Sequence, residues 1–142
     1  HKRGMKMINF ILFFSKTTMM PGIRETLHTP RVRILNDEKR ISVTGHSRLE
    51  DPSSFYEEFI RLLDDCMTDF KTHATLDFSF SYLNSSSSKW LFHILKNLQN
   101  KYQGKKIITV NWYYEKDDDA MLEAGEIFQS LLSLSFNIVP VK

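Results

Sequence analysis

Apolar residues are spaced as in a strand in some segments and as in a helix in others. The regular change between these two spacings constrains the fold of this sequence more than any other feature. Apolar and polar residues alternate, as in a half-buried strand, in 31–35, 40–45, 72–83, 105–115 and 135–141. Apolar residues recur at the helical spacing in 54–71, 91–102 and 116–134. The predicted order is therefore ββαβαβαβ. Because strands joined through helices pair in parallel by right-handed crossovers, this order predicts an α/β domain.

Local signals add detail to the ends of this predicted sheet. The polar residues NDEK, 36–39, separate the first two strands and suit a hairpin. Pro140 cannot donate to a strand ladder, so the last strand is predicted to lie at an edge. Gly104 follows the second helix, where glycine is a common C-terminal cap.

The second face of each predicted strand is polar rather than apolar. Leu76, Phe78, Phe80 and Tyr82 are predicted to share one face, and the residues between them are polar. Strands buried on both faces would instead be continuous apolar runs. We therefore predict a mixed sheet with its helices mainly on one face. The other face is expected to be wetter, or partly covered by residues 1–22.

Composition narrows the class of protein. The 142 residues carry 19 basic and 17 acidic side chains, a net charge of +2, which gives no electrostatic footprint for nucleic acid. Cys66 is the only cysteine, so no intrachain disulfide can form, and we predict a buried thiol. The apolar run 7–14 is far shorter than the ~20 residues of a membrane span. We expect a cytoplasmic protein with an N-terminal extension, residues 1–22, and one domain, residues 23–142.

The common cofactor and metal signatures are missing. The five glycines form no phosphate-binding loop, and the five histidines show no metal-ligand spacing. We predict no cofactor and no metal. One alternative stays open, because the acidic run from Glu115 to Glu126 could bind Mg²⁺ or serve a small ligand-binding or enzymatic domain. The other interpretation of this run is a helix cap and a solvated first turn.

Four serines stand between a predicted strand and a predicted helix, in SYLNSSSSKWLFHIL, residues 81–95. Asn84 or one serine suffices to cap the helix, which leaves the other hydroxyls surplus. A phosphate on one of them would meet the partial positive charge of the helix N-terminus. It would also add about two negative charges to any surface that docks there. The residues alone leave both a cap and a switch open.

The same residues carry a resemblance to a known family. The run 82–87, YLNSSS, followed by Lys89, resembles the Y-[FL]-N-[TS]-S-S signature of the SiaC-type regulatory phosphoproteins. The opening I-x-x-T-x-x-T-P-x-V is matched from Ile23 to Val32, and the G-x-S loop by Gly45-His46-Ser47. The tail W-x-Y-E…D…E-x-G-E…F resembles residues 112–136. Residues 23 to 139 are covered, in order.

This resemblance implies a fold like the STAS domains of anti-sigma factor antagonists and a switch protein without catalysis of its own. It implies a partner protein kinase, a PP2C-type phosphatase and a diguanylate cyclase, which the unphosphorylated form activates in cyclic-di-GMP signalling and biofilm control. The oligomeric state stays open.

By the same resemblance Ser85 is the phosphorylated hydroxyl, although the family commonly has threonine there. The residues that would flank it or bind the partner are Tyr82, Asn84, Ser86, Ser87 and Lys89. The family's P-E-N-like turn after G-x-S is replaced here by RLEDPSS, residues 48–54.

Overall fold

The computed structural model describes residues 19–142, which form one six-stranded sheet and three helices. The strands are β1 Met19–Ile23, β2 Arg31–Leu35, β3 Arg40–Ser47, β4 His73–Leu83, β5 Ile107–Glu115 and β6 Ser135–Val141. The helices are α1 Ser53–Asp69, α2 Ser85–Tyr102 and α3 Asp119–Leu131. A short 3₁₀ turn, Asn36–Glu38, joins β2 to β3.

The spatial order of the strands is the same as their order in the chain, β1 to β6. The pairs β1–β2 and β2–β3 are antiparallel, and the pairs from β3 to β6 are parallel. Three right-handed crossovers that advance in one direction bring all three helices to the same face of the sheet. The predicted α/β class, the mixed sheet and the edge position of the last strand are confirmed.

Strand β1 is an element that the sequence analysis did not predict. Its sequence, MMPGI, contains two residues that usually interrupt strands. Gly22 lies so close to the carbonyl group of Val32 that a Cβ atom at this position would overlap it. The strand begins at Met19, inside the range predicted as an extension. The run 7–14 and the other residues before Met19 lie outside the described range.

One face of the sheet packs against the helices and forms the core. Alternate residues of every central strand are buried there, and Trp112 lies at the centre of an aromatic cluster. Its indole Nε1 donates to the carbonyl of Met121, 2.9 Å away. Gly125 of α3 lets the helix backbone approach the indole, since a Cβ atom there would lie 2.5 Å from Trp112 Cδ1. Cys66 is buried in the same core, and burial raises the pKa of its thiol to about 12.

The opposite face of the sheet carries polar side chains, as the alternation predicted. Asn137 Nδ2 donates to Asn111 Oδ1 at 3.0 Å, and Asn111 Nδ2 donates to Asp77 Oδ1 at 2.9 Å. Arg40 Nε lies 3.1 Å from Asp77 Oδ2, an ion pair without hydrogen-bond geometry. These contacts link four neighbouring strands by side chains alone. Among residues 19–142, no helix is long and apolar enough to cross a membrane.

Candidate functional site

The serine tract lies where the parallel strands β3 and β4 end and α2 begins. Asn84 is the N-cap of α2: its Oδ1 accepts a hydrogen bond from the backbone N–H of Ser87 at 2.9 Å. Its backbone carbonyl accepts from the N–H of Ser88 at 2.9 Å. The predicted cap is thus the asparagine, and the four serines fill the first turn of the helix. We call this region, residues 82–89 with the facing loop 47–52, the serine corner.

The four hydroxyls of the tract are not equivalent. The side chains of Ser85 and Ser86 are exposed, Ser88 is half-buried and Ser87 is fully buried. Ser47 Oγ donates to Ser87 Oγ at 2.7 Å and lies 2.8 Å from the hydroxyl of Tyr56. Burial raises the pKa of Tyr56 and keeps its phenol neutral. Ser87 is therefore an anchor between α1, β3 and α2, and no kinase can reach it in the folded chain.

Asn84 also fixes the loop that faces the tract. Its Nδ2 donates to the carbonyl of Leu49 at 2.9 Å, and its backbone N–H donates to the carbonyl of Ser47 at 3.0 Å. One asparagine thus caps the helix and holds two points of the loop. The amide supplies a donor and an acceptor at once, which no carboxylate or hydroxyl of the same reach does as well.

Tyr82 does not share the face of Phe80, and that part of the prediction is wrong. A bulge shifts the register, so that Gly45 pairs with Phe80 but His46 pairs with Tyr82, which leaves Ser81 as the extra residue. An extra residue reverses the side-chain alternation beyond it. The ring of Tyr82 is 48% exposed, and the guanidinium of Arg48 lies 5.1 Å from its centroid. It is thus available for contact beside the tract.

The electrostatic setting of Ser85 combines a helix N-terminus and a lysine, which favour an anion, with the carboxylate of Glu50, which opposes one. The first turn of α2 contains no acidic residue, and Lys89 stands one helical turn after Ser85 with its side chain exposed. Ser85, Ser86 and Lys89 line one shallow depression together with Glu50 and Pro52. Trp90 borders it but stacks on Tyr56 at 6.3 Å, so packing between the helices accounts for this residue.

The acidic run has a structural role at the start of α3. Asp118 Oδ1 accepts from the backbone N–H of Met121 at 3.1 Å, which makes it the N-cap of that helix. Within residues 19–142, no group of three or more histidine, cysteine, aspartate or glutamate side chains could hold a metal ion. The capping interpretation of the run is the one with a defined contact.

Two residues that surround Ser87, namely Ser47 of the serine corner and Tyr56 of α1, could not be recognised as its neighbours from the sequence. The sequence places Ser47 only in the G-x-S loop, whereas its buried hydroxyl contacts a serine 40 positions away. Tyr56 fits the apolar face of α1 by periodicity, and no sequence signal distinguishes it from the phenylalanines around it.

The fold agrees with what known proteins show. A family model described as SiaC family regulatory phosphoprotein matches residues 23–141. The chain therefore belongs to the SiaC family.

Relatives of known sequence and structure come from Pseudomonas aeruginosa. The uncharacterized protein PA14_02130 of strain UCBPP-PA14 is 28% identical over 119 residues, which are 84% of this chain and 92% of that protein. A chain in the crystal structure of the diguanylate cyclase SiaD in complex with its activator SiaC is 26% identical, with a TM-score of 0.77, over 86% of this chain and 100% of that one. A further structure, described as SiaC of Pseudomonas aeruginosa, is 27% identical, with a TM-score of 0.75 and the same coverage.

Proposed function

We infer that this protein is a non-enzymatic cytoplasmic switch whose binding to a diguanylate cyclase is controlled by reversible phosphorylation of Ser85. The observation that carries the inference is the contrast within the tract: Ser85 is exposed on the first residue of α2, whereas Ser87 is locked in the core. The crystallised partnership of SiaC with SiaD supports a cyclase as the partner. By family resemblance, a kinase adds the phosphate and a PP2C-type phosphatase removes it.

The corner can hold a phosphate without losing its fold. The N–H groups of Ser87 and Ser88 are bonded to Asn84, while those of Ser85 and Ser86 have no acceptor within the described residues. A phosphate on Ser85 would lie beside these free donors, the helix dipole and Lys89, which favour negative charge, and would share the depression with one carboxylate, that of Glu50, which opposes it. The modification therefore changes the surface charge rather than the structure.

Binding measurements with matched variants test the function. We expect the unmodified protein and Ser85→Ala to bind the diguanylate cyclase of the same organism equally well, and Ser85→Glu and the phosphorylated protein to bind at least about tenfold more weakly. Ser86→Glu is the control for charge, because it adds the same carboxylate one residue away. Equal binding by Ser85→Ala and Ser85→Glu would contradict control by charge.

Mass spectrometry tests the site itself. Protein isolated from its native host is expected to carry a labile phosphate that maps to Ser85 and is absent from Ser85→Ala. A phosphate found on Ser86 or Ser88 instead would show that a different serine of the tract is the phosphorylated residue. A chain that stays unmodified under all growth conditions would contradict the switch, and the tract would then serve only to cap the helix.

A further inference from the structure

The three helices on the covered face of the sheet differ sharply in charge. Helix α2, SSSSKWLFHILKNLQNKY, has three lysines and no acidic residue. Helix α1 carries five carboxylates and one arginine, and α3 carries three carboxylates and no basic residue. Because α2 follows β4 and lies between the other two crossovers, a basic helix stands between two acidic ones.

One stripe of α2 starts at the proposed phosphorylation site and contacts α3 through Phe92. Ser85, Lys89, Phe92 and Lys96 follow one another at spacings of four, three and four residues, which places them on one side of the helix. Phe92 fixes the direction of this side, since its ring lies 6.1 Å from that of Phe128 in α3. The part of the stripe from Phe92 to Lys96 is therefore the α2 wall of a groove between the two helices, and Lys89 stands where this groove meets the depression lined by Glu50 and Pro52.

The opposite wall of this groove is apolar and exposed. Ile127 and Leu131 lie one turn apart on α3 and are 50% and 54% exposed. Gln129 donates to the carbonyl of Phe136 at 2.9 Å, so its side of α3 faces β6. Ile127 and Leu131 lie on the other side of the helix, toward α2. We call the space between these two walls the α2–α3 groove.

We propose that the α2–α3 groove docks an amphipathic helix of the partner, with an apolar stripe on Ile127 and Leu131 and acidic residues facing Lys89 and Lys96. This inference rests on the proposed function, for which it supplies the docking surface. An apolar helix face in a groove is a common mode of recognition, and the charged wall sets its direction. A phosphate on Ser85 adds about two negative charges to the basic wall.

The charge distribution favours this occupant over others. Lys89 and Lys96 attract carboxylates, while Glu123 and Glu126 on the outer side of α3 repel a long polyanion such as a nucleic acid. A partner helix with acids along one border of its apolar stripe satisfies both walls. Glu123 and Glu126 would repel a partner helix that carried acidic residues along both borders of its apolar stripe.

Four variants with matched pairs test the groove. Ile127→Gln and Lys96→Glu are each expected to weaken binding of the unmodified protein to the diguanylate cyclase by at least about tenfold. Ile107→Gln is the apolar control, because Ile107 is 69% exposed at the start of β5. Lys101→Glu is the charge control, because Lys101 lies on the α1 side of the same helix, 3.8 Å from Asp64. Both controls are expected to bind as the parent chain does.

The outcomes separate this inference from the proposed function. If Ser85→Glu abolishes binding while Ile127→Gln and Lys96→Glu bind normally, the groove is wrong and the switch stands. If the groove variants fail to bind while Ser85→Glu binds normally, the groove stands and control at Ser85 is wrong. A dimer of the chain that Ile127→Gln dissolves in sedimentation would assign the groove to a second copy and overturn the proposal.

A test without the cyclase uses a defined probe. ¹⁵N-labelled protein is titrated with a synthetic amphipathic helical peptide that carries leucines on one face with glutamates along one border. A twin peptide has lysines in place of the glutamates. The expected result is a set of chemical-shift changes that appears with the glutamate peptide only. These changes should be confined to Lys89, Phe92, Lys96, Ile127 and Leu131. Shifts elsewhere, equal responses to the two peptides, or no response to either would overturn the groove.

Discussion

Helices α2 and α3 begin in the same way and end up with opposite chemistry. Each follows a parallel strand, and each is capped by a side-chain oxygen that accepts from the N–H three residues on: Asn84 to Ser87 at 2.9 Å, and Asp118 to Met121 at 3.1 Å. At α3 the cap is a carboxylate and Asp119 follows it, so the positive end of the dipole already has its anions. At α2 the cap is neutral, and no acidic residue follows it in the first turn.

Features other than capping determine whether a helix N-terminus can accept an added anion. A capping side chain satisfies one free N–H at either helix, so capping alone does not distinguish them. The distinguishing features of α2 are a neutral cap, exposed hydroxyls in the first turn and a lysine one turn further on. An additional anion is favourable at α2 and unfavourable at α3, where it would meet three aspartates in a row, Asp117 to Asp119.

The buried and the exposed hydroxyls of α2 are expected to differ most in the free energy of unfolding that a carboxylate at each position costs. Ser87→Asp places a carboxylate beside Ser47 and Tyr56 in the core and is expected to cost at least about 3 kcal/mol of unfolding free energy. Urea denaturation measures this loss. Ser86→Asp is the control and is expected to unfold at the same urea concentration as the parent chain or slightly above it. Similar stability of the two variants would show that Ser87 is not locked.

Removing the two caps is expected to give unequal losses. Asn84→Ala should cost about 2 kcal/mol, because the same side chain also donates to the carbonyl of Leu49, while Asp118→Ala should cost about 1 kcal/mol. Thermal or urea unfolding of the two variants provides the comparison. A larger loss at Asp118 would mean that the bond to the loop contributes little.

The hydrogen-bonded hydroxyls of Ser47, Tyr56 and Ser87 are expected to stabilise the fold less at alkaline pH. Burial raises the pKa of Tyr56 above its ordinary value of 10.0, so the unfolded chain ionises first. The stabilising contribution is complete below pH 10 and is lost as the pH rises through the higher pKa of the folded state, by up to about 1 kcal/mol at pH 11. Stability measured from pH 8 to 11 should fall less steeply for Tyr56→Phe. Parallel curves of stability against pH for the two proteins would show that ionisation of Tyr56 does not cause the loss.

The smallest effect concerns the phosphate itself. On phosphorylated Ser85 the second pKa of the phosphate is expected to lie below its ordinary value of about 6, because Lys89 and the helix dipole favour the dianion. A ³¹P NMR titration should show the pKa rising by a few tenths of a unit in Lys89→Gln. Lys101→Gln, at the far end of the helix, is expected to leave the titration unchanged. An equal shift in both variants would assign the effect to net charge alone.

The elements that depend on neighbours in the chain could be predicted from the sequence. The β2–β3 hairpin, the three helices and the capping of α2 follow from local periodicity and turn chemistry. The bulge at Ser81 could not be predicted, because it arises from the pairing of β4 with β3 and reverses Tyr82 without any local signal. The Ser47–Ser87 contact was missed for the same reason, since it joins residues 40 positions apart.

Strand β1 was missed because its own residues argue against it. Pro21 and Gly22 are poor strand residues, and the antiparallel register with β2 absorbs them with a shift between Met20 and Ile23. The acidic run was ambiguous from the sequence for a different reason. Carboxylates at a strand end suit either a metal or a helix cap, and only the position of Asp118 relative to Met121 distinguishes these roles.

The burial of Ser87 limits which hydroxyls of the tract a kinase could reach in the folded chain. A kinase that reads only a short stretch of chain would meet four nearly identical hydroxyls in Ser85 to Ser88. The native state withholds one of them, and a phosphate can reach Ser87 only during a local opening of the corner. If a kinase modifies Ser85, the ratio of modification at Ser87 to that at Ser85 would measure how often this corner opens, and folding stability rather than sequence recognition would select between the two serines.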